Sequence, residues 1–90
     1  MKHLDLIVSG RVQGVSYRAA TKAVADQLGI RGFVMNRQDG TVYIEAEGKS
    51  FSIDMFLDWC KEGPEKAEVV KVEQRESELK NFPYFEIRKK

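Results

Sequence analysis

The sequence holds one cysteine, Cys60, and one histidine, His3, among its 90 residues. A single thiol forms no intramolecular disulfide, the staple on which small secreted domains usually depend, so a reducing, cytoplasmic home is expected. One histidine and one cysteine also make up no metal-ligand set, and neither metal nor cofactor is expected. Charge of one sign is lacking: 15 lysines and arginines oppose 14 aspartates and glutamates, a formal net charge of +1. Nothing steers the whole molecule toward nucleic acid or an anionic membrane. The apolar stretch near the start, Leu4 to Val8, is interrupted by Asp5. It is too short for a signal peptide and far too short for a membrane span. Linkers, low-complexity tracts and solenoid repeats are missing too, so residues 1–90 read as one domain.

What is present is a regular alternation of strand and helix signals. A strand is expected from Lys2 to Arg11 and a helix from Arg18 to Leu28, with apolar residues at Ala20, Ala23, Val24 and Leu28. Gly29 stands where a left-handed residue commonly ends a helix. Strands follow from Arg31 to Arg37 and from Thr41 to Glu47, joined by Asp39-Gly40, a pair that favours a type I′ hairpin turn. The third strand places Val42, Ile44 and Ala46 on one face and Tyr43, Glu45 and Glu47 on the other. A second helix is expected from Ser50 to Glu62, with Ser50 or Ser52 as its cap and Ile53, Phe56, Trp59 and Cys60 as its apolar stripe. Gly63-Pro64 stops it, and strands from Ala67 to Arg75 and from Tyr84 to Arg88 close the chain.

This order, with right-handed crossovers, gives an α+β, ferredoxin-like βαββαβ sandwich. One antiparallel sheet carries two helices on one face, and a short C-terminal strand is appended. Strands one and two then run parallel with strand three between them, roughly 10 Å apart. The loop after strand one and the end of strand two emerge at the same edge. Topology alone thus makes Asn36 a neighbour of the stretch Gly10-Arg11-Val12-Gln13-Gly14-Val15-Ser16-Tyr17-Arg18.

That stretch is the richest in the chain. Its glycines permit positive φ values that aim successive N–H groups at one point, and the helix start adds partial positive charge. It reads as a cradle for a phosphoryl group. Arg18 can grip two phosphate oxygens at once, and a cation is unfavourable at a helix N-terminus unless an anion joins it. Asn36 serves either hairpin-turn chemistry or the orientation of a water molecule; it is no base. Ser16 has no evident base beside it and is not read as a nucleophile. His3 reads as a surface residue and Cys60 as core filler. Two motif matches fail. Gly48-Lys49-Ser50 lacks the earlier glycine of a P-loop, because Tyr43 stands there. Arg31-Gly32-Phe33 opens like an RNA-binding signature, but Val34-Met35-Asn36 does not continue it.

With these residues in place, the chain resembles the acylphosphatase family along nearly its whole length. The resemblance rests on Gly10-Arg11-Val12-Gln13-Gly14-Val15 with Arg18, then Leu28-Gly29, Gly32-Phe33-Val34-Met35-Asn36 and Asp39-Gly40-Thr41-Val42. Gly63-Pro64, Ala67, Val69 and Phe85-Glu86-Ile87-Arg88 add to it. It implies hydrolysis of the carboxyl–phosphate bond of a small acyl phosphate without metal or cofactor; a monomer is expected, with no nucleic acid or membrane partner. The catalytic residues it implies are Arg18 and Asn36. Gln13, Gly14, Val15, Ser16, Tyr17 and Arg18 form the implied phosphate-binding loop. Three positions depart from the family pattern: Tyr17 where phenylalanine is usual, Ser16 where phenylalanine is frequent, and Phe33 where tryptophan is common. They bear on acyl-group preference. A non-catalytic phosphate-binding module on the same scaffold is the alternative reading.

Overall fold

The chain alternates strand and helix as its residue pattern dictates, in the computed structural model, which describes residues 1–89. The elements are β1 (Lys2–Arg11), α1 (Tyr17–Leu28), β2 (Arg31–Asn36), β3 (Val42–Gly48), α2 (Ser50–Glu62), β4 (Glu68–Ser77) and β5 (Phe85–Arg88). The five strands form one sheet in the order β4-β1-β3-β2-β5. The first four pair antiparallel, whereas β5 runs parallel to β2, so the appended strand makes the sheet mixed. Among the described residues, no helix is long and apolar enough to cross a membrane.

Period-two alternation puts Leu4, Leu6 and Val8 of β1 on one face with Val42, Ile44 and Ala46 of β3. Ala25 of α1 and Ile53, Phe56 and Cys60 of α2 complete the same cluster, so both helices cover that face. Their burial stabilises the fold by about 25 cal/mol for each Å² of apolar surface removed from water. α1 lies over β2 and β5, and α2 over β1 and β4.

Helix α1 buries the expected face only in part, with Ala20, Val24 and Leu28 at the margin of the buried stripe. Tyr17, Thr21 and Ala25 are its buried residues, Val24 and Leu28 are partly buried, and Ala23 is exposed. The helix begins one residue earlier than Arg18, and the large Tyr17 ring sets the rotation that the small alanines cannot. In α2, neither Ser50 nor Ser52 caps the helix; Lys49 occupies that position without a side-chain hydrogen bond. Gly63 ends α2 as expected, its N–H donating to the Trp59 carbonyl at 2.8 Å.

The β2–β3 hairpin is present, but its turn is not type I′. That turn needs positive φ at both central residues, and Asp39 has none; Gly40 alone is left-handed, at 90°. Register explains the difference. Asn36 pairs with Val42, leaving five residues between the strands, and the Gly40 N–H donates to the Arg37 carbonyl at 3.2 Å. The left-handed Gly40 then closes the loop behind an ordinary turn.

The helix-free face is covered as well. His3, expected at the surface, is fully buried, as is Glu47. Its two ring nitrogens lie 2.8 Å from Glu47 Oε2 and 2.8 Å from Asp5 Oδ1. Glu47 also accepts the backbone N–H groups of Lys80, Asn81 and Phe82, tying the segment before β5 across the sheet. A buried carboxylate is tolerable only with such partners.

Candidate active site

The loop that follows β1 is shaped by an alternation of handedness. Gly14 has φ 74° and Ser16 has φ 62°, whereas Gln13, Val15 and Tyr17 between and beside them keep negative φ. Successive residues of opposite sign turn their N–H groups toward one concavity, the anion-binding nest. Val12, buried at the core edge, and Val15, packed against it, hold the loop from below. Among the described residues, no acceptor pairs with the backbone N–H groups of residues 13–18. The axis of α1 points its positive end at the same place.

Arg18 is the second residue of α1 and is half-buried. Among the described residues, its side chain makes neither ion pair nor hydrogen bond. A cation in the first turn of a helix, uncompensated by any carboxylate, is suited to meeting an external anion.

Asn36 ends β2, opposite Val42, and Val42 in turn lies opposite Val8 of β1. One cross-strand rung therefore runs from Val8 through Val42 to Asn36, three residues before β1 ends at Arg11. The neighbourhood read from topology is present. Asn36 Oδ1 is buried and, among the described residues, is the one buried side-chain polar atom without a partner. Leaving such an acceptor unmatched costs about 1–3 kcal/mol. A pocket of about 390 Å³ opens there, lined by Met35, Asn36, Arg37, Gln38 and Asp39, with no residue of the cradle in its wall.

The half-buried Gln13 side chain joins the two parts. Its Nε2 donates to the Arg37 carbonyl at 2.8 Å and to the Thr41 carbonyl at 2.9 Å. Sequence reasoning assigned Gln13 a backbone role only; no spacing or composition signal marks the side chain, and topology supplies the neighbourhood but not the contact.

A family model described as Acylphosphatase matches residues 4–87. The chain belongs to the acylphosphatase family. The acylphosphatase of Archaeoglobus fulgidus is 46% identical over 84 residues, covering 93% of this chain and 94% of that one. The acylphosphatase of Ligilactobacillus salivarius is 44% identical over 89 residues, covering 97% and 98%. The crystal structure of acylphosphatase from Bacillus subtilis superposes with a TM-score of 0.95 at 36% identity, over 98% of this chain and 99% of that one. The protein is accordingly a hydrolase of small acyl phosphates on a ferredoxin-like fold.

In this acylphosphatase two of the three departures from the family pattern lie away from the cradle's opening. The Tyr17 ring is buried, 5.7 Å from the Trp59 ring, and its hydroxyl donates to the Cys60 carbonyl at 2.8 Å. Burial pushes the pKa of that phenol far above its ordinary value. Phe33 lies on the helix-free face, with the Arg88 guanidinium 3.9 Å above its ring. Ser16 alone is exposed at the loop. Cys60 is core, as expected, and burial pushes its thiol up to about 12. Carboxylates, left out of the count of His3 and Cys60, bring one potential ligand group together: polar atoms of His3, Asp5 and Glu45 lie within 4.8 Å of one another. They sit on the helix-free face near the start of β1, and the two ring nitrogens are already engaged with carboxylates.

Proposed function

We propose that Arg18 and the backbone N–H groups of Gln13 to Arg18 hold the phosphoryl oxygens of the acyl phosphate, and that Asn36 orients the attacking water. The observation that carries this reading is the buried, unpaired Oδ1 of Asn36 at the end of β2, next to Arg37, whose carbonyl accepts the Gln13 amide of the nest loop. An acceptor so placed takes one hydrogen of a water and leaves the oxygen lone pair free to meet phosphorus in line. The water oxygen forms the new bond to phosphorus as the bond to the carboxylate oxygen breaks. The carboxylate leaves with the electron pair, and the water's proton passes to a phosphoryl oxygen.

Few groups suffice because the leaving group is good. A carboxylate, with a pKa near 4, needs no protonation at neutral pH, so no general acid is required. What remains is positioning and neutralisation of the equatorial oxygens, the terms that dominate phosphoryl transfer. The fixed positive charge of Arg18 and the nest supply these, so the reaction is proposed to proceed without metal. Residues 1–90 are proposed to work as one monomeric, cytoplasmic domain, in keeping with the single buried thiol.

Hydrolysis of benzoyl phosphate in the presence of a chelator, followed by ultraviolet absorbance, tests the reading. Arg18→Ala is expected to lower kcat/KM by about 10²–10³-fold, because binding and transition-state stabilisation are lost together. Asn36→Ala is expected to lower kcat by about 10²-fold or more with little change in affinity for inorganic phosphate. Undiminished turnover in Asn36→Ala removes the water-orienting role. Phosphate binding without hydrolysis by the unaltered chain would leave only a binding module.

A further inference from the structure

The cradle and Asn36 belong to different elements, and catalysis of the proposed kind needs them at a fixed separation. The loop from Val12 to Ser16 is five residues with two left-handed positions and no regular pairing. The β2–β3 connection spans five residues as well, four of them exposed. The hydrogen bonds inside the hairpin loop brace it internally but do not fix its distance from the nest loop. Among the described residues, the two hydrogen bonds of the Gln13 amide are the only side-chain hydrogen bonds that leave residues 12–16.

We infer that the Gln13 side chain is a positioning residue that clamps the N–H nest to the rung carrying Asn36. This rests on the roles proposed for the nest and for Asn36. Both amide hydrogens of Gln13 are used, at 2.8 and 2.9 Å, and both acceptors are backbone carbonyls, so only the nitrogen end can face them. The acceptors are well chosen. Arg37 follows Asn36 directly and Thr41 precedes Val42, its cross-strand partner. The same two carbonyls close the hairpin, accepting the Gly40 N–H and the Arg37 N–H respectively. Gln13 therefore grips both legs of the hairpin at its mouth, one residue from the Asn36 rung. Its own backbone begins the nest, next to the left-handed Gly14. The amide touches no reacting atom in this arrangement; it sets where Asn36 stands relative to the bound phosphoryl group.

The test separates position from binding. Gln13→Met keeps the length of the side chain and removes both donors. It is expected to lower kcat for benzoyl phosphate by about 10- to 100-fold, since a displacement near 1 Å can cost that much, while the inhibition constant of inorganic phosphate changes by less than about threefold. The double variant Gln13→Met/Asn36→Ala is expected to be no slower than Asn36→Ala, because a misplaced group that is already absent costs nothing more. Gln13→Glu, which aims an anion at two carbonyl oxygens, is expected to be slower than Gln13→Met. Thermal unfolding of each variant establishes that the fold is kept. Full turnover in Gln13→Met, multiplicative losses in the double variant, or an equal loss of phosphate affinity and kcat each overturns the clamp. Full turnover in Asn36→Ala overturns instead the role of Asn36 on which the clamp rests.

Discussion

At the scale of single residues the site is built less from side chains than from the signs of φ. Ser16 adopts φ 62° without being glycine, a conformation that costs about 1–2 kcal/mol and persists where the surroundings hold it. Its hydroxyl caps nothing, so its backbone is what the nest uses. Ser16→Gly is expected to keep turnover and phosphate inhibition within about threefold of the parent, because glycine adopts left-handed φ freely. Ser16→Val, β-branched and ill-suited to that φ, is expected to raise the inhibition constant of phosphate by about 10-fold or more. Steady-state kinetics with inorganic phosphate as inhibitor measures both. The glycines made the cradle legible in the sequence, but nothing in the sequence marks Ser16 as left-handed, since serine takes that conformation only under tertiary constraint. Arg18 was legible for the opposite reason: a cation at a helix start violates a local rule, and the violation points at function.

At the scale of elements, the residue pattern located every helix and strand and misjudged what turns them. Ala23 was counted on the inward face of α1 with Ala20, Val24 and Leu28, yet it is exposed, because a methyl group carries too little apolar area to decide a rotation that Tyr17 decides by volume. Asp39-Gly40 suits two hairpin loops equally, and only the pairing of Asn36 with Val42, a tertiary fact, selects between them. His3 was illegible because a histidine two residues from the start carries no sign of the carboxylates that topology brings to it. Tyr17 has a further duty between elements. The last carbonyls of a helix lack intrahelical donors, and near the end of α2 the Trp59 carbonyl takes the Gly63 N–H while the Cys60 carbonyl takes the Tyr17 hydroxyl. The start of one helix thus caps the end of the other. Tyr17→Phe, the residue usual in the family, is expected to lower stability by about 1 kcal/mol in chemical denaturation with kcat unchanged.

At the scale of the molecule, the helix-free face couples stability to pH. Burial would raise the pKa values of Asp5 and Glu47, but hydrogen bonds outweigh it: His3 and Arg75 for Asp5, the Lys80 N–H and His3 for Glu47. Both carboxyls therefore sit below their ordinary values of 3.8 and 4.5. The folded chain then binds fewer protons than the unfolded one in this window. Stability is complete above about pH 5 and declines as pH falls through the folded-state values. Urea denaturation from pH 7 to pH 3 is expected to follow that course. Glu47→Gln is expected to cost about 3 kcal/mol at pH 7 and to flatten the acid decline. The strand order has a consequence for how the chain folds. β1, with Leu4, Leu6, Ile7 and Val8, is flanked by β3 and β4, so a central strand of the sheet takes one neighbour from far along the chain, His3 lying opposite Ser77. Until β4 docks, one edge of β1 stays open, and closing the sheet there means closing a long loop first, a slow step in folding.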